Sequence, residues 1–257
     1  MRAKYFCTIS IALLLIFIIG CTANLKAEKK RAADRRNVGE AHMMQGDFTS
    51  ALREFLEAEK IYADDPFLHN DLGFAYMAKG KLDKAIFHFK KTLALKSKYS
   101  DARNNLGIAY SRQGKWKQAI ACFTTVSEDL LYATPYLPLT NLGWIYESRK
   151  MYDLAATHYQ KALKLSPRYA TALRGLGRTY LSLGKTTDAI GLLKEAVKNT
   201  KSAAETAESY FDLARAYETA NNRLKAIAAY REVTTLAPNS LLAKQSLSRL
   251  TRLQKKP

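Results

Sequence analysis

Proline and glycine are scarce in this sequence, with 6 and 12 residues among 257, whereas Ala, Leu and Lys are abundant. Since proline and glycine interrupt helices and the abundant residues favour them, the composition indicates an all-α protein. Acidic residues are also few: 23 Asp and Glu oppose 41 Lys and Arg, which gives a formal net charge of +18. Hydrophobic residues make up 47% of the chain, so a mainly disordered protein is excluded.

Long apolar runs are missing apart from one, Ile9–Ile19, which excludes a polytopic membrane protein. This run is shorter than the roughly 20 residues that span a bilayer, and the basic Arg2 and Lys4 precede it. It is typical of the apolar core of an export signal, which predicts a signal peptide over residues 1–20. The run ends in Gly20-Cys21 and resembles the bacterial lipobox, in which the peptidase cuts just before the cysteine. An uncleaved anchor or an ordinary signal peptide are the alternatives.

The lipobox resemblance implies that Cys21 carries a diacylglycerol and an N-acyl chain such as palmitate, and that no other cofactor is needed. Thr22 rather than Asp after it implies sorting to the outer membrane, with the protein facing the periplasm. Of the three cysteines only Cys122 then remains a thiol, so no internal disulfide is expected. Residues 21–36 are predicted to be a basic, lipid-anchored tether that contacts anionic head groups or serves as a helical lead-in.

The rest of the chain contains an internal repeat. A small residue recurs six times, and it is followed by alanine at the twelfth position and by a bulky residue at the sixteenth. The small residues, spaced by 34, 34, 36, 34 and 37 positions, are Gly39, Gly73, Gly107, Gly143, Gly177 and Ala214. This pattern resembles the tetratricopeptide repeat, whose period is about 34 residues. The resemblance implies a right-handed α-solenoid of about six helix-turn-helix repeats over residues 32–240.

Each residue type in the repeat has a structural reason. The small residue and the alanine allow the two helices of a repeat to approach closely, and the bulky residue fills the space between repeats. The predicted boundaries are 32–65, 66–99, 100–135, 136–169, 170–206 and 207–240, followed by a capping helix at 241–257. The extra residues of the longer spacings are expected in loops at Val126–Pro138 and Asn199–Ala207. Gly46, Gly80, Gly114 and Gly184 are expected to form left-handed turns, with Lys150 and Asn222 near the turns that lack glycine.

Motifs for catalysis, phosphate binding and metal binding are missing. The four histidines, His42, His69, His88 and His158, are expected to lie in different repeats and lack the spacing of a helical metal pair. We therefore predict no enzyme, no metal site and no small-molecule substrate. The basic charge could suit nucleic acid, but the export signal places the protein away from it.

The remaining candidate is a surface for protein–protein interaction. In tetratricopeptide arrays the position after the small residue faces the concave groove; here it holds Glu40, Phe74, Ile108, Trp144, Arg178 and Arg215. Phe67 and Met77 share the helical face of Phe74. We predict that Phe67, Phe74, Met77, Ile108 and Trp144 form an exposed partner-binding groove, the alternative being that neighbouring helices bury some of them.

The sequence is also similar to a more specific family. The stretch Ser127–Tyr132 precedes the enlarged spacing before Asn141-Leu142-Gly143 and, with the lipobox, resembles the pilotins of type IV pilus systems, known as PilF, PilW or Tgl. The resemblance implies a non-enzymatic scaffold or chaperone that helps an outer-membrane secretin to localise and multimerise. The alternative is a periplasmic adaptor that recruits cell-wall hydrolases or proteases.

Overall fold

The computed structural model describes residues 24–255. Its first helix, α1, covers residues 24–44. The helices that follow are α2 (Phe48–Ile61), α3 (Pro66–Ala78), α4 (Leu82–Leu95), α5 (Ser100–Arg112), α6 (Trp116–Ser127), α7 (Tyr136–Ser148), α8 (Tyr152–Leu165), α9 (Ala170–Ser182), α10 (Thr186–Asn199), α11 (Ala203–Thr219), α12 (Arg223–Leu236) and α13 (Leu241–Lys255). No strand occurs in this range, and the predicted all-α fold is confirmed.

The helices form two compact parts that meet in sequence between Lys115 and Trp116. The N-terminal part contains α1 to α5, and the C-terminal part contains α6 to α13. Within each part, helices that follow one another in the chain pack together, and α13 packs on α12. The predicted signal peptide and Cys21 lie outside the described residues. None of the described helices combines the length and apolar character that a bilayer span requires.

The small residues of the repeat lie where two helices come closest. A Cβ atom added at Gly73 would lie 2.6 Å from the ring of Phe89, and one at Gly143 would lie 2.7 Å from the ring of Tyr159. Such separations are shorter than van der Waals contact, so only glycine fits beside these rings. Phe89 and Tyr159 are in turn almost fully buried. The predicted reason for the small residue is therefore confirmed in these repeats.

The turns between paired helices are left-handed, as predicted. Gly46, Gly80, Gly114 and Gly184 have φ between 70° and 79°. Where glycine is missing, Lys150 (φ 60°) and Asn221 (φ 54°) take the same conformation, which a non-glycine residue adopts at some steric cost. Asn222, expected near the turn, instead caps α12 by accepting a hydrogen bond from the backbone N–H of Lys225.

The helices agree with one open alternative and correct one expectation about chain segments. Residues 24–36 belong to the continuous helix α1, which agrees with the helical lead-in that was one of the two alternatives for the tether. The insertion expected as a loop at Asn199–Ala207 is largely helical, because α11 begins at Ala203 and has 17 residues. Ser202 explains the early start: its hydroxyl accepts a hydrogen bond from the N–H of Glu205, which satisfies an otherwise unpaired donor of the first turn.

Candidate partner-binding surface

Three of the five predicted groove residues are exposed aromatic side chains. The exposed fraction is 42% for Phe67, 37% for Phe74 and 44% for Trp144. Ile108 is half-buried. Large aromatic side chains usually have most of their surface buried, so exposure of this size, at Phe67 and Phe74 in the second repeat and at Trp144 in the fourth, marks a candidate binding surface in each part.

Met77 does not belong to this surface, because only 5% of it is exposed. It lies one helical turn after Gly73, the residue that packs against Phe89. Residues four apart share a helix face, so Met77 points towards the paired helix and the interior. The alternative considered above, burial in the core, therefore holds for Met77.

In the N-terminal part, Phe67 lies among aromatic and basic side chains. Its ring packs edge-on against Tyr99, with 5.6 Å between ring centroids. The Lys96 ammonium lies 4.5 Å from the centre of the Phe67 ring and the Arg36 guanidinium 5.5 Å from it. Phe74, on the same helix, has the Phe48 ring 6.4 Å away. This surface can therefore accept an apolar or aromatic side chain next to Lys96 and to Arg36, whose charge is already paired with Glu40, Asp65 and Asp71.

In the C-terminal part, Trp144 packs against Trp116, with 6.0 Å between their ring centroids and a tilt of 54°. Two indoles in contact, one of them 44% exposed, offer a large rigid apolar area that loses little conformational entropy on binding. Trp144 was predicted from its position in the first helix of a repeat. Trp116 was not, because it begins the second helix of the preceding repeat, outside the positions expected to face the groove.

The C-terminal part also contains a basic cavity of about 1020 Å³. Guanidinium groups from four helices line it, together with two glutamates and the apolar Leu181 and Leu253. The arginines are Arg178, Arg215, Arg223, Arg249 and Arg252. Because five positive side chains face only two negative ones, Glu147 and Glu218, the cavity suits an anionic ligand.

Glu147 holds one wall of the basic cavity in place. It accepts two 2.9 Å hydrogen bonds from Arg178 and one of 2.8 Å from the hydroxyl of Tyr159. Burial alone would lower the pKa of Arg178. The hydrogen bonds and charge of Glu147 and the charge of Asp212 raise this pKa by more, so its net shift is upward. Burial, and then the charge of Glu147, raise the pKa of Tyr159. The guanidinium therefore stays charged and the phenol stays protonated.

Glu218, like Glu147, contacts a tyrosine as well as arginines that line the cavity. It accepts a 2.8 Å hydrogen bond from Tyr230 and faces Arg252 at 3.2 Å and Arg249 at 3.6 Å. Arg249 and Arg252 belong to α13, which sequence analysis treated only as a cap. Their contribution could be found only from the structure, since nothing in the repeat pattern places the last helix beside Glu218.

The prediction that the four histidines lie in different repeats is wrong for one pair. His69 and His88 both belong to the second repeat, on α3 and α4, and their Nδ1 atoms are 3.0 Å apart. Both side chains are buried, and Glu59 from α2 lies 3.7 Å from His69. Spacing along one helix could not reveal this cluster, because its members come from three helices.

Comparison with known proteins identifies the repeats. Models described as "Tetratricopeptide repeat" match residues 102–132, 141–204 and 207–240, and one described as "TPR repeat" matches residues 75–114. No curated protein sequence matches the chain. The predicted recognition of tetratricopeptide repeats is therefore confirmed.

Solved structures show the same fold. PilW, described as a widely conserved type IV pilus biogenesis factor, is 20% identical, with a TM-score of 0.74 over 84% of this chain and 98% of PilW. PilF of Pseudomonas aeruginosa is 17% identical, with a TM-score of 0.73 over 87% of this chain and 99% of PilF. YrrB, described as having an unusual peptide-binding site, is 18% identical, with a TM-score of 0.53 over 76% of this chain and 97% of YrrB. The chain carries tetratricopeptide repeats, and its fold is that of the pilus proteins PilW and PilF.

Proposed function

We propose that this protein is a lipid-anchored scaffold of the outer membrane that binds a secretin subunit and assists its localisation and multimerisation. The observation that carries the proposal is the match to nearly the whole of PilW, a pilus biogenesis factor, at a TM-score of 0.74. A tetratricopeptide array acts by binding other proteins, which agrees with a surface of exposed aromatics and with the lack of a catalytic motif in the sequence.

The two surface features favour a partner segment of mixed character. The tryptophan pair, Trp116 and Trp144, suits an apolar anchor, and buried aromatic anchors typically dominate the energy of an interface. The basic cavity suits carboxylates, because Arg215 and Arg252 keep more than half of their side-chain surface exposed. We therefore infer that the segment bound by the C-terminal part carries an apolar residue and acidic residues.

The lipid anchor is the part of the proposal that depends on sequence alone. Acylation of Cys21 would hold the scaffold at the membrane where secretin subunits must assemble. Several acyl chains bind a bilayer much more firmly than one, since each buried methylene contributes about 0.8 kcal/mol.

A gene deletion tests the function directly. The account predicts that secretin monomers are still made in the deletion strain but that detergent-resistant multimers are lost from the outer membrane, and that the wild-type gene restores them. Normal multimers in a strain without a redundant homologue would contradict the secretin role. Altered cell-wall hydrolysis in that strain would favour the adaptor instead.

A further inference from the structure

A cluster of Glu59 and the buried His69 and His88 lies in the N-terminal part. One ligand-type atom from each residue lies within 4.8 Å of the other two. The two Nδ1 atoms are 3.0 Å apart, and Oε1 of Glu59 is 3.7 Å from Nδ1 of His69. From these distances and donor atoms, we propose that the cluster is a Zn²⁺ site that links the first repeat to the second.

The spacing of the donor atoms suits a tetrahedral ion. Zinc binds histidine nitrogen and carboxylate oxygen at about 2.0–2.2 Å, so tetrahedral ligand atoms lie about 3.3–3.6 Å apart. The observed 3.0 Å and 3.7 Å fall on either side of that value. Two histidines and one glutamate form a known zinc donor set that a water completes, and Glu59, whose side chain is 26% exposed, lies at the solvent side of the cluster.

The ring of His69 is held in the orientation that a metal ligand requires. Its Nε2 lies 2.8 Å from the carbonyl oxygen of Ala63 and must donate there, because a carbonyl only accepts. In the neutral ring this leaves the lone pair on Nδ1, which accepts the 3.0 Å hydrogen bond from Nδ1 of His88; a metal would replace that proton, with the neutral His88 ring then protonated on Nε2. A histidine ligand typically donates its other N–H to a carbonyl in this way. The ring of Tyr76 stacks on His88 at 5.4 Å, with 16° between the planes.

The pKa values of both histidines lie below the ordinary value of histidine. Burial, then the neighbouring His69 and lysines, lower the pKa of His88 to about 4. Burial likewise lowers the pKa of His69, against an opposing effect from the Ala63 hydrogen bond.

Comparison between repeats shows that the combination of one glutamate and two histidines occurs at this junction, whereas single members of it recur elsewhere. Glu59 is at the twentieth position after the small residue of its repeat, while His69 is at the fourth before Gly73 and His88 at the fifteenth after it. At the junction of the fourth and fifth repeats these three positions hold Leu163, Leu173 and Leu192. Those leucines pack in or against the core there. Packing does not require polar side chains at these three positions, since leucines fill them at the other junction. Three polar side chains that meet at one point therefore favour a role in ligand binding.

The chain provides its own matched controls. The triple variant Glu59→Leu, His69→Leu, His88→Leu copies the leucine junction, so it should keep the native helicity while losing the site. His158 occupies the same repeat position as His88 and also stacks on a tyrosine, Tyr146. Its partner positions hold Ser127 and Leu139, so His158→Leu should leave metal binding unchanged.

The experiment is calorimetric titration of Zn²⁺ into the full chain purified in detergent, with Co²⁺ as a spectroscopic substitute. We expect one Zn²⁺ per chain, ligand-field absorption of tetrahedral Co²⁺, and a Tm higher by about 5–10 °C at a Zn²⁺ concentration near 100 times Kd. Affinity should fall more than about 100-fold in His88→Leu, since losing a ligand costs more than losing a supporting contact. The absence of stoichiometric binding, or equal affinity in a folded triple variant, would overturn the proposal.

Discussion

The hydroxyl of Tyr159 donates a 2.8 Å hydrogen bond to Glu147, which also accepts two hydrogen bonds from Arg178. Tyr230 and Glu218 repeat the relationship, and in both pairs the residues are 12 apart. The bulky residue of the repeat thus both fills space and fixes a carboxylate beside the basic cavity.

Glu147→Ala should therefore destabilise the protein strongly. It leaves the buried Tyr159 hydroxyl without its acceptor, and Arg178 keeps only Asp212, 3.5 Å away, as an acidic partner. Leaving a buried donor unsatisfied costs about 1–3 kcal/mol, and more for a charged donor, measured as the free energy of unfolding in urea. The matched control is Glu195→Ala, whose partner Lys198 is exposed and whose loss should cost less than about 1 kcal/mol. Equal losses of unfolding free energy in Glu147→Ala and Glu195→Ala would contradict this role for Glu147.

Gly73→Ala should also destabilise, because the new methyl would lie 2.6 Å from the ring of Phe89. Overpacking of this kind costs about 1–3 kcal/mol. Gly191 is the control: it lies within α10 with no atom within 4 Å of an added Cβ. Gly191→Ala should stabilise by about 0.5–1 kcal/mol, since alanine favours helix. Thermal unfolding of both variants checks that the two changes in stability have opposite signs. A Gly73→Ala protein more stable than the wild type would refute the close approach of Gly73 to the Phe89 ring.

The repeat pattern could be predicted from sequence because its spacing is set by local packing. Gly73 meets Phe89, and Gly143 meets Tyr159, within one pair of helices, and both pairs have the same separation along the chain. The start of α11 was missed because Ser202 and Glu205 cap it through side-chain hydrogen bonds that the repeat pattern does not contain.

The site was less predictable because it depends on contacts between helices. Exposure of Phe74 followed from its repeat position, whereas Met77, three residues later, turns towards the paired helix and is buried. The pairing of His69 with His88 across two helices, and of Arg252 with Glu218 at the far end of the chain, has no signal in the spacing along one helix.

His158→Leu should make the protein less sensitive to acid. Burial, with a contribution from Lys161, lowers the pKa of His158, and its Nδ1 has no hydrogen-bond partner among the described residues. Below the unfolded pKa of about 6.5 the unfolded chain takes up a proton that the folded chain does not, so stability falls as the pH falls.

The measurement for His158→Leu is its unfolding free energy minus that of the wild type, at about pH 7.5 and about pH 5, on either side of the reference pKa. We expect this difference to move in favour of the variant at the lower pH. A difference independent of pH would show that His158 titrates normally in the folded protein.

Cys21→Ala should abolish acylation and leave the precursor uncleaved. The cysteine thiol is the predicted lipid acceptor, and residues 1–20 contain only Cys7 besides. Labelling cells with radioactive palmitate checks the prediction, with Cys7→Ala as the control that should label normally. Palmitate incorporated into the Cys21→Ala protein would contradict the lipobox interpretation.

The most direct test of the account is the affinity of purified Trp144→Ala protein for the purified secretin subunit, measured together with its Tm. Removal of an aromatic anchor should weaken binding by about thirtyfold, or about 2 kcal/mol. Since Trp144 is 44% exposed, the loss of stability should stay below the roughly 3–5 kcal/mol expected for a core tryptophan, and about 0.5–1.5 kcal/mol of it comes from the contact with Trp116 beyond the buried area. Leu154→Ala, on α8 and 42% exposed, should change neither quantity much. Wild-type affinity in a stable Trp144→Ala protein would contradict the account.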